Sequence, residues 1–399
     1  MTTGKHSKLF YTLLAVILLL GFMLVPAVAK AASSDVGVWI PYWSEEAGAS
    51  SALTNIADID VLYPFVFEVT SSGIPVNKVD FTDEHWEELF DAARERDVPI
   101  IPTIAWFDGA AMERVLSNKT WRSVHVQLIA LYARLYDVDG FNIDYEQKYA
   151  STKDDFSLFL KELNKALGDK TLTCTVEARM LPEHRYRDVP ATIEYANDYG
   201  EMNKHCDWIE IMAYDQQRAD FSLNNERRGV PYMPVSDVDW VEEVVEIALQ
   251  DIDADKVMLG VATYGRAWDV TVAADWYRDY TKVATLNNPR IQELSKKYDS
   301  PIGRSAGGEA VISYFPEDSV WKIFNQLPTP EGTPKGYEAA AKALLVATVA
   351  DVEIPVRFIT WSDAESIGDK IDLVSKYGLK GTAVFKVDGE EDEKMWKLF

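Results

Sequence analysis

Apolar residues recur along this chain in two rhythms. Runs rich in β-branched and aromatic residues, which read as strands, occupy 37–44, 60–69, 98–107, 138–146, 171–178, 207–215, 256–265 and 381–389. Between them lie stretches such as DEHWEELFDAARERD, KDDFSLFLKELNKALGD and VDWVEEVVEIALQDID, where apolar positions return every three or four residues, as on one face of a helix. Eight apolar strands separated by amphipathic helices predict an α/β fold, a closed (β/α)8 TIM barrel, in preference to an open sheet. Residues 271–361 exceed what one strand-helix unit needs. There EAVISYF and VRFITW flank the helical run GYEAAAKALLVATVAD, which predicts a small α/β subdomain inserted between the seventh and eighth strands. The barrel then comprises 32–270 and 362–399. Little sequence follows the eighth strand, so no separate module is expected after the barrel.

Ahead of the barrel, Lys5 and Lys8 precede an apolar run from Leu9 to Val25, and small residues follow at Ala27, Ala29 and Ala31. This is the layout of a secretory signal. The run also approaches membrane-spanning length, so 1–31 reads either as a cleaved signal peptide or as an uncleaved N-terminal membrane anchor. Both readings export the rest of the chain. A formal net charge of −24 across 399 residues argues against nucleic acid and anionic membranes as partners, leaving membrane contact only through such an anchor. Cys174 and Cys206, the only 2 cysteines, sit in or beside apolar runs and are expected to be buried free thiols, since two cysteines are no disulfide framework.

The chemistry concentrates in DGFNIDYEQ, residues 139–147. On a strand, side chains two apart share a face, so Asn142, Asp144 and Glu146 point together, toward the barrel axis, while Phe141, Ile143 and Tyr145 face the helices. Glu146 falls at the carboxyl end of the strand, where barrel enzymes keep their chemistry. An ionised Asp144 beside it, held by the Asn142 amide, would oppose ionisation of Glu146 and prepare it as a general acid near neutral pH. A second pattern is aromatic. Tyr42, Trp43, Phe67, Trp106, Trp268 and Trp361 fall near predicted strand ends, where their flat apolar faces could line a cleft; Tyr42, Trp106 and Trp361 are the candidate cleft residues.

These residues resemble a known family. DGFNIDYE is similar to the DGxDxDxE signature of the glycoside hydrolase family 18 chitinases, with Asp139, Gly140, Asp144 and Glu146 matching and Asn142 where Asp is commonest. Asn at that position resembles the branch with spore-germination and cell-wall N-acetylglucosaminidases. IMAYDQ resembles the family's sixth-strand MxYD motif through Met212, Tyr214 and Asp215. VATYGRAW resembles its seventh-strand segment through Tyr264, Gly265 and Arg266. The closing region TWSDAESIGDKIDLVSKYGLKGTAVF retains Asp363, Ser366, Lys370 and the Gly378 to Gly381 turn, but carries Phe385 where the family usually has a tryptophan.

The resemblance implies a retaining, substrate-assisted glycosidase that needs no metal and no cofactor. Its partner would be an oligo- or polysaccharide containing N-acetylglucosamine, either chitin-like or peptidoglycan. Glu146 would serve as general acid and base, Asp144 and Tyr214 would hold the substrate's acetamido group, and Asn142 would hold Asp144. Asp215, Met212, Arg266 and Phe385 would contact the sugar. Two other classes stay open beside this. One is a sugar-binding protein that kept the barrel and lost catalysis, against which the presence of both acids argues. The other is an unrelated barrel using a metal, which the absence of a His/Cys ligand cluster disfavours.

Overall fold

The computed structural model describes residues 34–399. The leader expected at 1–31 lies outside them, and among the described residues no helix is long and apolar enough to cross a membrane. The strands are β1 (Asp35–Pro41), β2 (Val61–Val69), β3 (Pro75–Asn77), β4 (Thr103–Trp106), β5 (Gly140–Tyr145), β6 (Thr171–Glu177), β7 (Trp208–Met212), β8 (Val257–Ala262), β9 (Tyr264–Val272), β10 (Tyr277–Asn287), β11 (Gly303–Arg304), β12 (Ala310–Tyr314), β13 (Ile354–Trp361) and β14 (Gly381–Phe385). Eight of them run parallel in the order β1-β14-β8-β7-β6-β5-β4-β2, and β1 pairs β2 to close the ring. The predicted barrel is the observed one, with the short β3 added antiparallel to β2.

Strand alternation sorts the barrel residues. Outward positions such as Val38, Leu62, Ile104, Phe141, Ile143, Leu172, Ile209 and Leu259 join the large core beneath the helices. Each helix supplies a matching stripe: Trp86, Leu89, Phe90 and Ala93 from Glu84–Glu95, and Phe156, Phe159, Leu160, Leu163 and Leu167 from Lys153–Leu167. The inward cluster is smaller and includes Trp39, Tyr63, Phe65, Ala105, Met258 and Ala383. The lower rim is tied by carboxylates. Asp60, Asp139 and Asp207 each accept from the first backbone N–H groups of a neighbouring strand or its approach, at Val36, Ile100 and Leu172, all at 2.8 Å. Asp139 is therefore a clasp of the barrel floor. Gly140 beside it has no room for a side chain, since a Cβ would lie 2.0 Å from the Thr171 carbonyl oxygen.

After β8 the chain builds a second, antiparallel sheet in the order β10-β9-β13-β12-β11. One face packs Trp268, Val270 and Phe358 on the helix Glu338–Ala350. The other packs Ala267, Ile359 and Trp361 against Ile291 and Leu294 of the helix Asn288–Lys297. The return to the barrel runs through the helix Ala364–Tyr377, started by a reciprocal Asp363/Ser366 capping box and stopped by left-handed Gly378 (φ 62°). This gives a physical reason for those letters in the closing region.

The free-thiol expectation is overturned: Cys174 and Cys206 form a disulfide, with their Cα atoms 6.1 Å apart. Cys174 points outward from β6, and Cys206 ends the helix Tyr199–His205 just before β7, which pairs with β6. Both sulfurs thus meet in the layer between strand and helix. The bridge closes a 32-residue separation, so replacing both cysteines with serine is expected to lower stability by about 2–4 kcal/mol. Urea melts of the two forms check this, and superimposable curves would show that the bridge adds nothing.

Candidate active site

The β5 row ends at the upper rim of the barrel. The Glu146 backbone N–H donates to the Trp106 carbonyl at 2.9 Å, carrying the β4–β5 ladder one residue past β5 and fixing where the Glu146 side chain emerges. Asp144 is buried, and its Oδ1 has no hydrogen-bond partner among the described residues. Both carboxyl groups open into a cavity of ≈ 510 Å³, which also takes in Met212, Tyr214, Asp215, Arg266 and Phe385. Its walls are largely aromatic. Phe385 lies parallel to Tyr214 with ring centroids 5.7 Å apart, and Trp39 and Phe65 meet Phe385 edge-on.

Electrostatics in this pocket favour protonated acids. Burial first, then the nearby charges of Glu177 and Asp215, push the Glu146 carboxyl up to about 7, while Lys148 opposes the shift. Burial and then Glu146 hold the Asp144 carboxyl well above the usual carboxylate range. The expected coupling along β5 is therefore felt by Asp144. For Glu146 the environment and Glu177 count for more. Asp215 sits in the left-handed backbone region (φ 59°). Arg266 holds it there, donating from Nε at 2.9 Å and from Nη2 at 2.6 Å, and the Tyr264 hydroxyl adds a bond at 3.2 Å.

Asn142 does not hold Asp144. Its amide nitrogen donates to Thr173 Oγ1 (2.7 Å) and Glu210 Oε2 (2.9 Å), while its oxygen accepts from the hydroxyls of Thr103 and Thr175 (both 3.0 Å). With two donors and two acceptor positions used, nothing remains for Asp144. The expected Asn142–Asp144 bond is replaced by a cross-barrel network that also takes in the Trp39 indole N–H through Thr103 at 3.1 Å.

Three expected cleft aromatics lie elsewhere. Trp106 is 1% exposed and packs outward against Tyr145 and His125, because Thr103 and Ala105 take the inward positions of β4. Trp361 is buried in the second sheet. Tyr42 stands one layer back, its hydroxyl donating at 2.9 Å to Glu68, which itself lines the cavity. Phe67 and Trp268 are core residues too. Trp43, 51% exposed, and the next residue after Trp106, Phe107, do line the cavity, together with Trp39, Phe65 and Thr175. Sequence reasoning missed Glu177 and Glu210, although both share the inward alternation of their strands. Two groups of potential cation ligands occur among the described residues, Glu45/Asp83/His85 and His184/Asp220/Glu243, and neither contributes to this cavity.

Comparison with known proteins gives a consistent result. The family model described as "Glycosyl hydrolases family 18" matches residues 39–390. The uncharacterized glycosylase YvbX of Bacillus subtilis is 21% identical over 294 residues, covering 73% of this chain and 69% of YvbX. The spore cortex-lytic enzyme SleL of Bacillus cereus superposes with a TM-score of 0.65 at 18% identity, over 92% of this chain and 73% of SleL. A mutant class V chitinase from Nicotiana tobaccum, in complex with NAG4, superposes with a TM-score of 0.62 at 13% identity, over 92% of this chain and 97% of that one.

Proposed function

We propose, from the premise that this chain belongs to the glycosyl hydrolases of family 18, that it is an exported enzyme cleaving β-1,4-linked N-acetylglucosamine glycans with retention. One observation carries the reading: Glu146 and Asp144 stand side by side at the carboxyl end of β5, in an aromatic cavity whose burial raises the Glu146 carboxyl to about 7. A group with that pKa can hold its proton until a leaving oxygen takes it.

The other carboxylates of the cavity are poorly suited to act as nucleophile. Asp215 is engaged by Arg266, and Glu68 is tied by Lys78 at 2.8 Å and by Tyr42. Asp144 shares the strand of Glu146, so the two cannot readily flank one glycosidic bond. Substrate assistance resolves this, as an exception to the two-carboxylate scheme. Glu146 gives its proton to the glycosidic oxygen while the sugar's own acetamido oxygen attacks the anomeric carbon, forming an oxazolinium ion and releasing the leaving sugar. Asp144, otherwise unpartnered at Oδ1, accepts the acetamido N–H there. The Tyr214 hydroxyl donates to the acetamido oxygen, and Phe385 supplies the apolar floor. Glu146, now a carboxylate, takes a proton from water, which opens the ring and restores the acid.

Both kinds of relative support the glycan class: one is a spore cortex-lytic enzyme and another is in complex with NAG4. Export is supported by the leader pattern and the Cys174–Cys206 bridge. The test is release of reducing ends by the purified protein from N-acetylated chito-oligosaccharides and from cell-wall glycan strands. Turnover is expected on at least one of them, with kcat/KM declining as pH rises through about 7, where Glu146 loses its proton. No turnover on either sinks the hydrolase reading, and binding without turnover would put a sugar-binding protein in its place.

A further inference from the structure

Three segments that follow β6 and β7 bring together side chains that the reaction above does not use. His184 lies on the short helix Pro182–Arg185 after β6, Asp220 caps the helix Phe221–Glu226 after β7, and Glu243 lies on the helix Val238–Ala248 that leads toward β8. One ring nitrogen of His184 and one carboxylate oxygen of each acid lie within 4.8 Å of one another. None of the three residues lines the cavity.

The two carboxylates are prepared in the same way. Glu243 accepts the Leu181 N–H at Oε1 and Asp220 accepts the Leu223 N–H at Oδ1, both at 2.8 Å, so a backbone donor fixes one oxygen of each. Their other oxygens differ. Glu243 Oε2 meets His184 Nδ1 at 2.5 Å, whereas Asp220 Oδ2 is buried and has no hydrogen-bond partner among the described residues. Asp220 itself is 0% exposed. As a helix cap an asparagine would serve equally well, with no charge to bury. What aspartate adds is an unpartnered anionic oxygen beside a second carboxylate and an imidazole, a donor set suited to a transition-metal ion. Burial, and then the charge of Glu243, push the Asp220 carboxyl up, against the Leu223 N–H and His184; a bound cation would reverse that. A protonated His184 would pair with Glu243 and still leave Asp220 Oδ2 unanswered.

We propose that His184, Asp220 and Glu243 form a structural site for one divalent transition-metal ion of the zinc type, which fastens the segments after β6 and β7 to the helix Val238–Ala248. At bond lengths of about 2.0–2.2 Å, donors around such an ion stand about 3–3.5 Å apart, so His184 and Glu243 part slightly on binding. The His184 and Glu243 side chains are 30% and 15% exposed, which gives the ion its entry and leaves a coordination position for water. Held outside the cavity, the ion takes no part in bond cleavage, and the proposal stands whether or not the chain is a hydrolase. The segment it fastens after β7 begins with Tyr214 and Asp215 of the cavity.

Zinc chloride is titrated calorimetrically into the purified protein after treatment with a chelator, and melting temperature and trypsin cleavage are followed with and without zinc. Wild type is expected to bind one equivalent, to melt higher with zinc, and to be cut more slowly at the exposed Arg185 and Arg187 beside the site. Asp220→Asn keeps an acceptor for the Leu223 N–H and removes the free anionic oxygen. It and His184→Gln should each weaken zinc binding by at least about tenfold. Because His184 is partly exposed, its variant tests the site even where Asp220→Asn folds poorly. His85→Gln, which removes the histidine of the Glu45/Asp83/His85 group, should leave the affinity unchanged. Calcium, which takes about six to eight oxygen ligands, should give no comparable stabilisation. No saturable zinc binding, unchanged affinity in His184→Gln, lost affinity in His85→Gln, or equal stabilisation by calcium would each overturn the proposal.

Discussion

Glu146→Gln is expected to lower kcat on an N-acetylated glycan by about 100- to 10,000-fold, the usual contribution of a positioned general acid. The amide has the same shape and can still form hydrogen bonds within the cavity, but it has no proton for the leaving oxygen and cannot activate water afterwards. Removing a buried, up-shifted acid also relieves unfavourable burial of charge, so the variant should melt no lower than wild type above neutral pH. Initial rates together with calorimetric binding of a chito-oligosaccharide separate the two effects. Turnover equal to wild type would remove Glu146 from its assigned role, whereas lost binding would make it a ligand-holding residue.

Replacing the acetamido group of the substrate by an amine should cost at least about three orders of magnitude in kcat/KM. The internal oxygen is held at the anomeric carbon by the sugar itself, and such intramolecular attack is worth effective molarities far above any attainable by a free nucleophile. No cavity carboxylate stands ready to replace it: Asp215 and Glu68 are engaged in ion pairs, and Asp144 lies on the strand that carries the acid. Rates on matched N-acetylated and N-deacetylated oligosaccharides measure this directly. Comparable rates on both would require a protein nucleophile and rule out substrate assistance.

The barrel was legible because alternation of period two is local, and eight such segments leave little choice of fold. The same rule placed Asp144 and Glu146 on one inward row. The same rule turns Trp106 outward, because inward Thr103 and Ala105 on TIAW leave it the opposite face, whatever its nearness to the strand end suggests. Phe67 is a different case, since the pairing of β2 with β4 shifts register between Phe65 and Phe67, and nothing in the letters announces a bulge. The partners of Asn142 and the meeting of Cys174 with Cys206 depend on how separate strands and a helix come together, which spacing along the chain does not encode. Glu177 and Glu210 are legible by alternation alone, but they lie on β6 and β7, outside the DGFNIDYEQ motif.

The second sheet reaches into the cavity through Tyr264 and Arg266 of β9 and Thr285 of β10. Arg266 is also the cation that restrains Asp215, and it donates to Thr285 as well. The acid row of β5 and part of the cavity rim are thereby supplied by different layers of the molecule. Substitutions along the rim of the insertion would then reshape one wall of the cavity while leaving the acid row beneath it untouched.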